Sequence, residues 1–418
     1  MEKAQMAAEA GAADRRLVFS AAFVIIFCSS GVSAFSVFVD DLMAATGGSR
    51  AEVALSLAIS QFSLAVFGIV SGWIVDRFGP RMLMYGGGVL MTLAWVLTAF
   101  ADSLIMLYLS FGLCLGAGVG LIYGPAINTC LRWFPDKRGF VSGFLLSASP
   151  LGTLAIAKLA AVLCHAFGSA GLLWIGLIYL ALTFSVGWKM VLPQSGWRPD
   201  CWKPASTPEK DRAGGDFSCV AMIRTAAFWH MLLLYALAAT AGAMMVSVLS
   251  PIAQVQLGME PVIAANMVVA NCLANFFGRL AAGRLCDKWG EAKTLILIFV
   301  LTVIGLLGMR QAASVIAFTA FLLLLGGSYG GVLVVFPPLC ARMFGIAHSG
   351  ANYGILFFGH AFGGLIGPQI AARTVDKSLG VHAFDNAYLL AAAVAVMGLA
   401  LSLAFVRRRA PVDSGREL

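Results

Sequence analysis

Two basic residues stand inside long apolar stretches of this sequence. Arg279 lies within ANFFGRLAAG and Lys158 within LAIAKLAAV. If these stretches cross a bilayer, each charge costs at least about 2.5–3.5 kcal/mol, so an embedded ionisable group is first a functional hypothesis. Arginine stays protonated, and its planar fork suits a carboxylate. We therefore predict that Arg279 anchors a carboxylate substrate; the alternative is a structural arginine bound by helix-end carbonyls.

The sign of the embedded charge predicts the sign of the substrate. No Asp or Glu falls in the middle of an apolar run, and the nearest, Asp40 and Asp41, end the first run. An arginine in a low-dielectric cavity without an acidic neighbour selects anions. Lys158 lies nearer a run's end, where a lysine can reach the interface through its flexible stem. We keep it as a possible entry-side cation beside that structural explanation.

Several polar and aromatic side chains could complete a carboxylate site. His360 lies near the centre of NYGILFFGHAFGGLIG, where it either packs or, when protonated, pairs with a second carboxylate. Tyr123 and Tyr329 fall at similar depths in their apolar runs, so their hydroxyls could contact a carboxylate while the rings close the cavity. Phe35 is a weaker candidate for the cavity wall. Each of these aromatic residues could instead serve packing alone.

The elements that position these residues are membrane-spanning helices. Of 418 residues, 60% are hydrophobic and 11% charged, whereas soluble domains have roughly 45–50% and about 25%. About 20 apolar residues make one transmembrane helix. Twelve apolar runs predict twelve such helices, at about 17–39, 52–75, 81–100, 104–131, 139–165, 170–191, 226–249, 262–284, 294–310, 314–341, 348–373 and 384–407.

Composition also excludes several functions. The residues outside the runs are too few for a sizeable soluble catalytic domain, and no nucleophile, base and orienting acid can be assembled from the runs. We therefore expect no enzyme and no cofactor. The nine cysteines include no CxxC pair, so neither a disulfide framework nor a metal site is predicted. The formal charge of +8 is dispersed in short groups, which argues against nucleic acid.

Lys and Arg predict the orientation in the membrane. Of 28 basic residues, 22 fall on the side of the N-terminus, four on the opposite side and two within the runs. Because basic residues accumulate in cytoplasmic loops, both termini are predicted to be cytoplasmic. We expect a multi-pass protein of the inner, or plasma, membrane. Lipid is its surrounding partner, and a monomer is expected.

An internal repeat divides the chain into two halves. GWIVDRFG begins at Gly72 and GRLCDKWG at Gly283, a separation of 211 residues, and half the chain is 209. The polar stretch between the sixth and seventh runs is rich in Pro, Gly and charge, which is typical of a linker. We predict a six-helix bundle over 1–192, a cytoplasmic linker over 193–224 and a second bundle over 225–418. Duplicated halves with a substrate site at their interface are typical of secondary transporters.

The paired GxxxD[RK]xG loops resemble the signature of the major facilitator superfamily, and the resemblance covers essentially the whole chain. Within it, GLCLGAGVGLIYGPAINTC, RWFPDKRG and FPPLCARMFGIAHSGANYGILFFGH resemble the oxalate:formate antiporter family and the related monocarboxylate transporters. The resemblance strengthens the assignment of Tyr123 and Tyr329. It also implies that four loop charges latch the inward gate, although these charges could merely enforce topology: Asp76, Arg77, Asp287 and Lys288.

Two positions depart from the families that the chain resembles. In animal-type monocarboxylate transporters an aspartate precedes the arginine of the eighth helix by four residues, whereas here the residue is Asn275. Asparagine can hydrogen-bond a substrate but cannot carry a proton. In the antiporter branch the position of His360 resembles one that a lysine fills, so the histidine weakens the case for oxalate. Protons, if coupled, must bind His360 or the substrate.

The leading interpretation is a secondary active transporter of small carboxylate anions that works by alternating access. Monocarboxylates such as lactate, pyruvate or formate are favoured, because one fixed cation and an aromatic cage suit a small monoanion. A dicarboxylate (oxalate-like):formate antiporter is the alternative. Occluding Arg279 without its anion is costly, which favours exchange, while proton symport stays open. A transporter-like carboxylate sensor is the alternative from another class.

Overall fold

The computed structural model describes residues 2–193, 216–375 and 377–407. In this part of the chain all regular elements are helical and no β-strand occurs, so the predicted all-α class is confirmed. Most of the predicted linker, residues 194–215, lies outside the described residues.

Six long helices precede the linker: α1 (Glu2–Ser29), α2 (Arg50–Phe78), α3 (Pro80–Ala99), α4 (Leu104–Trp133), α5 (Arg138–Phe167) and α6 (Gly171–Gly187). Six follow it: α7 (Ala226–Leu257), α8 (Pro261–Trp289), α9 (Glu291–Gln311), α10 (Val315–Phe344), α11 (Ser349–Thr374) and α12 (Asp385–Arg407). The order agrees with the twelve predicted runs.

The first predicted span, residues 17–39, is not one α-helix. After α1 the chain continues as a 3₁₀ segment, Ser30–Val37, and then a short helix, Val39–Thr46. The buried hydroxyls of Ser29 and Ser30 both donate to the carbonyl of Ile26, each at 2.9 Å. Such side-chain donors compete with the backbone for helical carbonyls, which accounts for a change of helix type at this point.

The described residues contain ten helices that are long and apolar enough to cross a membrane. The two long helices outside this set are α6 and α8. The first is apolar but spans only 17 residues. Helix α8 has the length, and it carries Arg279 and Arg284. These charged residues mark α8 for closer inspection.

The two repeated loops have the same backbone conformation. Gly79 ends α2 and begins α3 with φ +80° and ψ 171°, and Gly290 ends α8 and begins α9 with φ +85° and ψ 158°. Residues with a Cβ rarely adopt this region, so glycine is required at both turns. The repeat found in the sequence thus corresponds to a repeated structure.

The described helices fall into two compact units. The first unit comprises Met1–Arg224 with Cys340–Phe358, and the second comprises Thr225–Leu339 with Gly359–Leu418. The sequence-based division placed residues 340–358 in the second bundle, whereas their contacts group them with the first unit. Glycines explain this grouping, because a Cβ on Gly72 would collide with the backbone of Ala351, and one on Gly354 would lie 2.8 Å from the carbonyl of Gly68.

Candidate functional site

Helix α8 presents a buried polar stripe in the second unit. Asn271, Asn275 and Arg279 recur every four residues, so they share one face of the helix. Their exposed fractions are 4%, 8% and 7%. No Asp or Glu occurs in α8 before Asp287, two turns beyond Arg279. The stripe therefore combines one permanent positive charge with two neutral amides.

Asn275 orients the guanidinium of Arg279. The Nε atom of Arg279 donates to Oδ1 of Asn275 at 2.8 Å. A hydrogen bond at Nε restricts rotation of the guanidinium plane and therefore the direction of the two terminal nitrogens. This hydrogen bond brings together two predicted site residues. Because Nε is already bound, a carboxylate would approach the side of the guanidinium that carries the two terminal nitrogens.

Helix α10 lies directly against the polar stripe because both helices carry glycine at the contact. A Cβ on Gly278, the neighbour of Arg279, would collide with the carbonyl of Gly327. A Cβ on Gly330 would collide with the carbonyl of Asn275. Close backbone approach of this kind is the usual role of small residues in membrane helices. The GGSYGG run in α10 therefore positions Tyr329 beside α8.

Tyr329 is held from a second side by α7. A Cβ on Gly242 would collide with the Tyr329 ring, so the ring lies against the bare backbone of α7. The side chain is half-buried, and its ring centroid lies 6.5 Å from that of His360. The charge of Arg279 interacts electrostatically with both Tyr329 and His360. Four predicted site residues of the second unit thus form one cluster: Asn275, Arg279, Tyr329 and His360.

An aromatic stack supports His360. Its ring lies 5.4 Å from the ring of Tyr235, and Tyr235 in turn stacks on Phe336 at 3.9 Å with an interplanar angle of 11°. Tyr235 and Phe336 are fully buried. The sequence analysis missed both residues, because an aromatic residue in an apolar helix does not indicate which ring of another helix it will contact.

The other predicted aromatic residues belong to the first unit. Tyr123 is half-buried, and its ring centroid lies 6.5 Å from that of Phe357. With Tyr353 and five glycines, these two side chains line a small, partly open pocket. Phe35 lies in the 3₁₀ segment after α1, is buried, and packs on Phe111 at 4.9 Å. This environment is typical of core packing.

The remaining predicted charges lie towards the ends of helices or on exposed surface. Lys158 is exposed on α5, and Asp287 and Lys288 are exposed in the last turn of α8. Arg77 is exposed in the last turn of α2, with its guanidinium 5.7 Å from the ring of Trp73. The side chain of Asp76 lies outside the described residues. The gating assignment of these four loop residues stays a prediction.

The fold and this cluster define a class of protein: a helical membrane protein with a buried arginine in its second unit. Two overlapping stretches of the chain, residues 21–368 and 231–417, match the sequence profile of the Major Facilitator Superfamily. The chain belongs to this superfamily, whose members are transporters, and it is a multi-pass membrane protein. The resemblance inferred from the GxxxD[RK]xG loops is thereby confirmed.

Similar proteins occur in bacteria, fungi and animals. The chain is 29% identical to the oxalate:formate antiporter of Oxalobacter formigenes, over 98% of this chain and 96% of that protein. It is 31% identical to monocarboxylate transporter 11 of Mus musculus, over 84% and 78%. The crystal structure of the human organic anion transporter MFSD10 (TETRAN) superposes with a TM-score of 0.71 at 17% identity, covering 93% of this chain and 99% of that one, which shows a common fold.

Proposed function

We propose that this transporter carries small carboxylate anions by alternating access, with Arg279 as the carboxylate anchor. The observation that carries the proposal is the buried α8 arginine with its Nε held by Asn275 at 2.8 Å. Tyr329 and His360, whose ring centroids lie 6.5 Å apart, are within electrostatic reach of this charge in the same unit. The cluster offers a fixed cation, an amide and two aromatic rings to one ligand.

The geometry of the arginine fork favours a carboxylate. Because Nε donates to Asn275, a bound carboxylate would be met by the two terminal nitrogens, each of which can donate to one oxygen. Hydrogen bonds to charged groups contribute roughly 1.5–3 kcal/mol each. A lysine offers a point charge rather than a planar fork, so it cannot reproduce this two-point contact.

The named relatives support the same substrate class. One is named for oxalate and formate, and the other for monocarboxylates. We favour monocarboxylates such as lactate, pyruvate or formate, because Arg279 supplies one permanent charge and the neighbouring position, His360, is a neutral imidazole unless protonated. The second candidate is oxalate-like dicarboxylate:formate exchange, which is favoured by the 29% identity along almost the whole chain.

The transport cycle follows from the two units. Members of this fold expose a substrate site alternately to the two sides of the membrane. Exchange is favoured because an empty carrier that returned across the membrane would occlude the Arg279 charge without an anion. In proton-linked symport, the alternative, the coupled proton would bind His360 or the substrate. We propose that the protein works as a monomer in the inner, or plasma, membrane with both termini in the cytoplasm. A carboxylate sensor would share the binding cluster but move nothing.

Reconstitution into liposomes tests the proposal. Uptake of labelled lactate, pyruvate, formate and oxalate is measured with and without unlabelled carboxylate inside. We expect saturable uptake of at least one carboxylate, and about 10-fold lower uptake by Arg279→Lys, because the lysine keeps the charge but loses the two-point contact. Arg373→Lys makes the same change at an exposed arginine and serves as the matched control. Full activity of Arg279→Lys, or binding without any uptake, would overturn the proposal.

A further inference from the structure

Asn271, the first residue of the polar stripe on α8, has a buried amide oxygen that the protein itself does not use. The side chain is buried, and its Oδ1 atom has no hydrogen-bond partner among the described residues. Most buried polar atoms in native proteins have such a partner, because an acceptor removed from water without a donor is costly. A ligand that brings a donor to this oxygen would therefore recover that cost.

Helix α10 faces this oxygen without offering it a donor. A Cβ on Gly326 would lie 2.6 Å from Oδ1 of Asn271, so the facing position has no side chain. Two residues further along α10, the hydroxyl of Ser328 donates to the carbonyl of Leu325 and hydrogen-bonds the hydroxyl of Thr302, each at 2.9 Å. These hydroxyls already have partners, so Oδ1 keeps its acceptor capacity for a group from outside the protein.

The side chain of Arg279 extends towards Asn271. Side chains on a helix lean towards its N-terminus, and the Nε atom of Arg279 is already bound to Asn275, one turn before it. The arginine charge also interacts electrostatically with Cys272, the neighbour of Asn271. Asn271 lies one further turn away, about 5.4 Å along the helix axis. A small ligand can therefore contact both the guanidinium and the unpaired oxygen.

We infer that Asn271 binds a hydroxyl group on carbon 2 of the substrate, so that the transporter selects 2-hydroxycarboxylates, such as lactate, over carboxylates that lack this hydroxyl. The carboxylate accepts from the terminal nitrogens of Arg279, and the hydroxyl on the adjacent carbon donates to Oδ1 of Asn271. An ionised carboxylate cannot satisfy this oxygen, because it has acceptors only. This inference rests on the proposed function, since Arg279 is its carboxylate anchor.

Three ligands with the same carbon skeleton separate the two contacts. Lactate has a 2-hydroxyl donor, propionate has no polar group on carbon 2, and pyruvate has a 2-oxo acceptor in its place. A site that hydrogen-bonds a substrate hydroxyl discriminates against analogues without it, because the protein group is then left unpaired. We therefore expect L-lactate to bind at least about tenfold more tightly than propionate or pyruvate.

Isothermal titration calorimetry of the purified full-length protein measures this preference as three values of Kd. Asn271→Leu keeps the approximate size of the side chain and removes the acceptor. It should bind L-lactate as weakly as propionate, and its Kd for propionate should stay within about twofold of wild type. Asn128→Leu makes the same change at a buried asparagine of α4 in the first unit and serves as the matched control, in which the preference for lactate should persist.

Equal affinities of the wild type for lactate and propionate would overturn the inference, as would a lactate preference that survives in Asn271→Leu. Pyruvate that binds as tightly as lactate would also overturn it, because the amide would then act as a donor. If Asn271→Leu does not fold, Asn271→Ala decides by the same criteria. Where all three ligands bind alike and Arg279→Gln abolishes binding, only this inference fails. Where none of them binds, both this inference and a site for such monocarboxylates fail.

Discussion

Helices α2 and α8 occupy equivalent places in the two repeats, yet they carry different chemistry. The 211-residue offset of the repeated loops aligns Arg279 with Gly68 and Asn275 with Leu64. In the second unit these positions hold a buried, oriented cation. In the first unit Gly68 and Leu64 line the small pocket beside Tyr123. At matched positions, the second repeat therefore carries a charged arginine, whereas the first carries a glycine that borders a pocket.

This asymmetry has a physical basis. A buried charge must be compensated by hydrogen bonds or by a ligand, so an arginine at the matched position of the first unit would add a second such cost to the empty state. A glycine at the matched position requires no compensation. A single buried arginine, matched by a glycine in the other repeat, therefore keeps the free-energy cost of the substrate-free state lower than two buried arginines would.

The largest expected effect comes from placing the same side chain at the two matched positions. Arg279→Gln should lower kcat/KM for the transported carboxylate about 100-fold, equivalent to about 2.7 kcal/mol, because charge-assisted hydrogen bonds are lost. Gly68→Gln should lower it only about threefold, since a Cβ there has no atom within 4 Å. Equal losses in liposome uptake would contradict the assigned asymmetry.

The next effect tests the amide that orients the arginine. Asn275→Leu copies the first unit into the second and removes the acceptor of Nε, so KM should rise about 10-fold. The reciprocal change, Leu64→Asn, should leave KM within about twofold because no charge is oriented there. Initial uptake rates over a concentration series measure both variants. An unchanged KM for Asn275→Leu would show that this hydrogen bond has no role in binding.

A smaller effect is expected at the contact between α7 and Tyr329. Gly242→Ala should displace the Tyr329 ring and reduce kcat/KM about fivefold, because a small misplacement of a contact residue weakens its interaction. Gly364→Ala is the matched control, since a Cβ there meets nothing within 4 Å. If both variants transport like wild type, the position of Tyr329 does not matter to the substrate.

The smallest expected effect is on selectivity. His360→Lys adds an amine that can pair, when charged, with a second carboxylate, so oxalate should compete about threefold better against a labelled monocarboxylate, as expected for one added ion pair. His165→Lys introduces the same charge at an exposed position and should leave the competition unchanged. Unaltered discrimination in His360→Lys would remove this histidine from the account of specificity.

The sequence predicted much of the fold because hydropathy and repetition are local signals. Twelve apolar runs located the helices, and Arg279 with Asn275 four residues earlier could be assigned to one helix face. The type of helix at Ser30–Val37 was missed, because the hydroxyl competition for Ile26 depends on side-chain conformation. Spacing along one helix was therefore a reliable guide, whereas local departures from the α-helix were not.

Contacts between helices were harder to predict. Tyr329 packs on Gly242, and Tyr235 stacks on Phe336. In each pair the residues are about 90–100 positions apart in the sequence, and no pattern along the chain indicates that they are in contact. Asp216 lies in the polar stretch between the sixth and seventh runs, and only the folded loop shows that its carboxylate accepts from two amides. The GGSYGG run was the one signal that could have indicated the close approach of α8 and α10.

Ligand-induced stabilisation of the purified protein tests the central claim most directly. Formate, pyruvate, lactate and oxalate are each compared with the matching neutral amide, on wild type and on Arg279→Gln. At a free concentration about 100 times Kd, a bound carboxylate should add about 2.7 kcal/mol to the free energy of unfolding and raise Tm. We predict a shift with at least one carboxylate, none with its amide and none in Arg279→Gln. An equal shift with the amide, a shift that survives in Arg279→Gln, or none with any carboxylate would contradict a carboxylate anchored by Arg279.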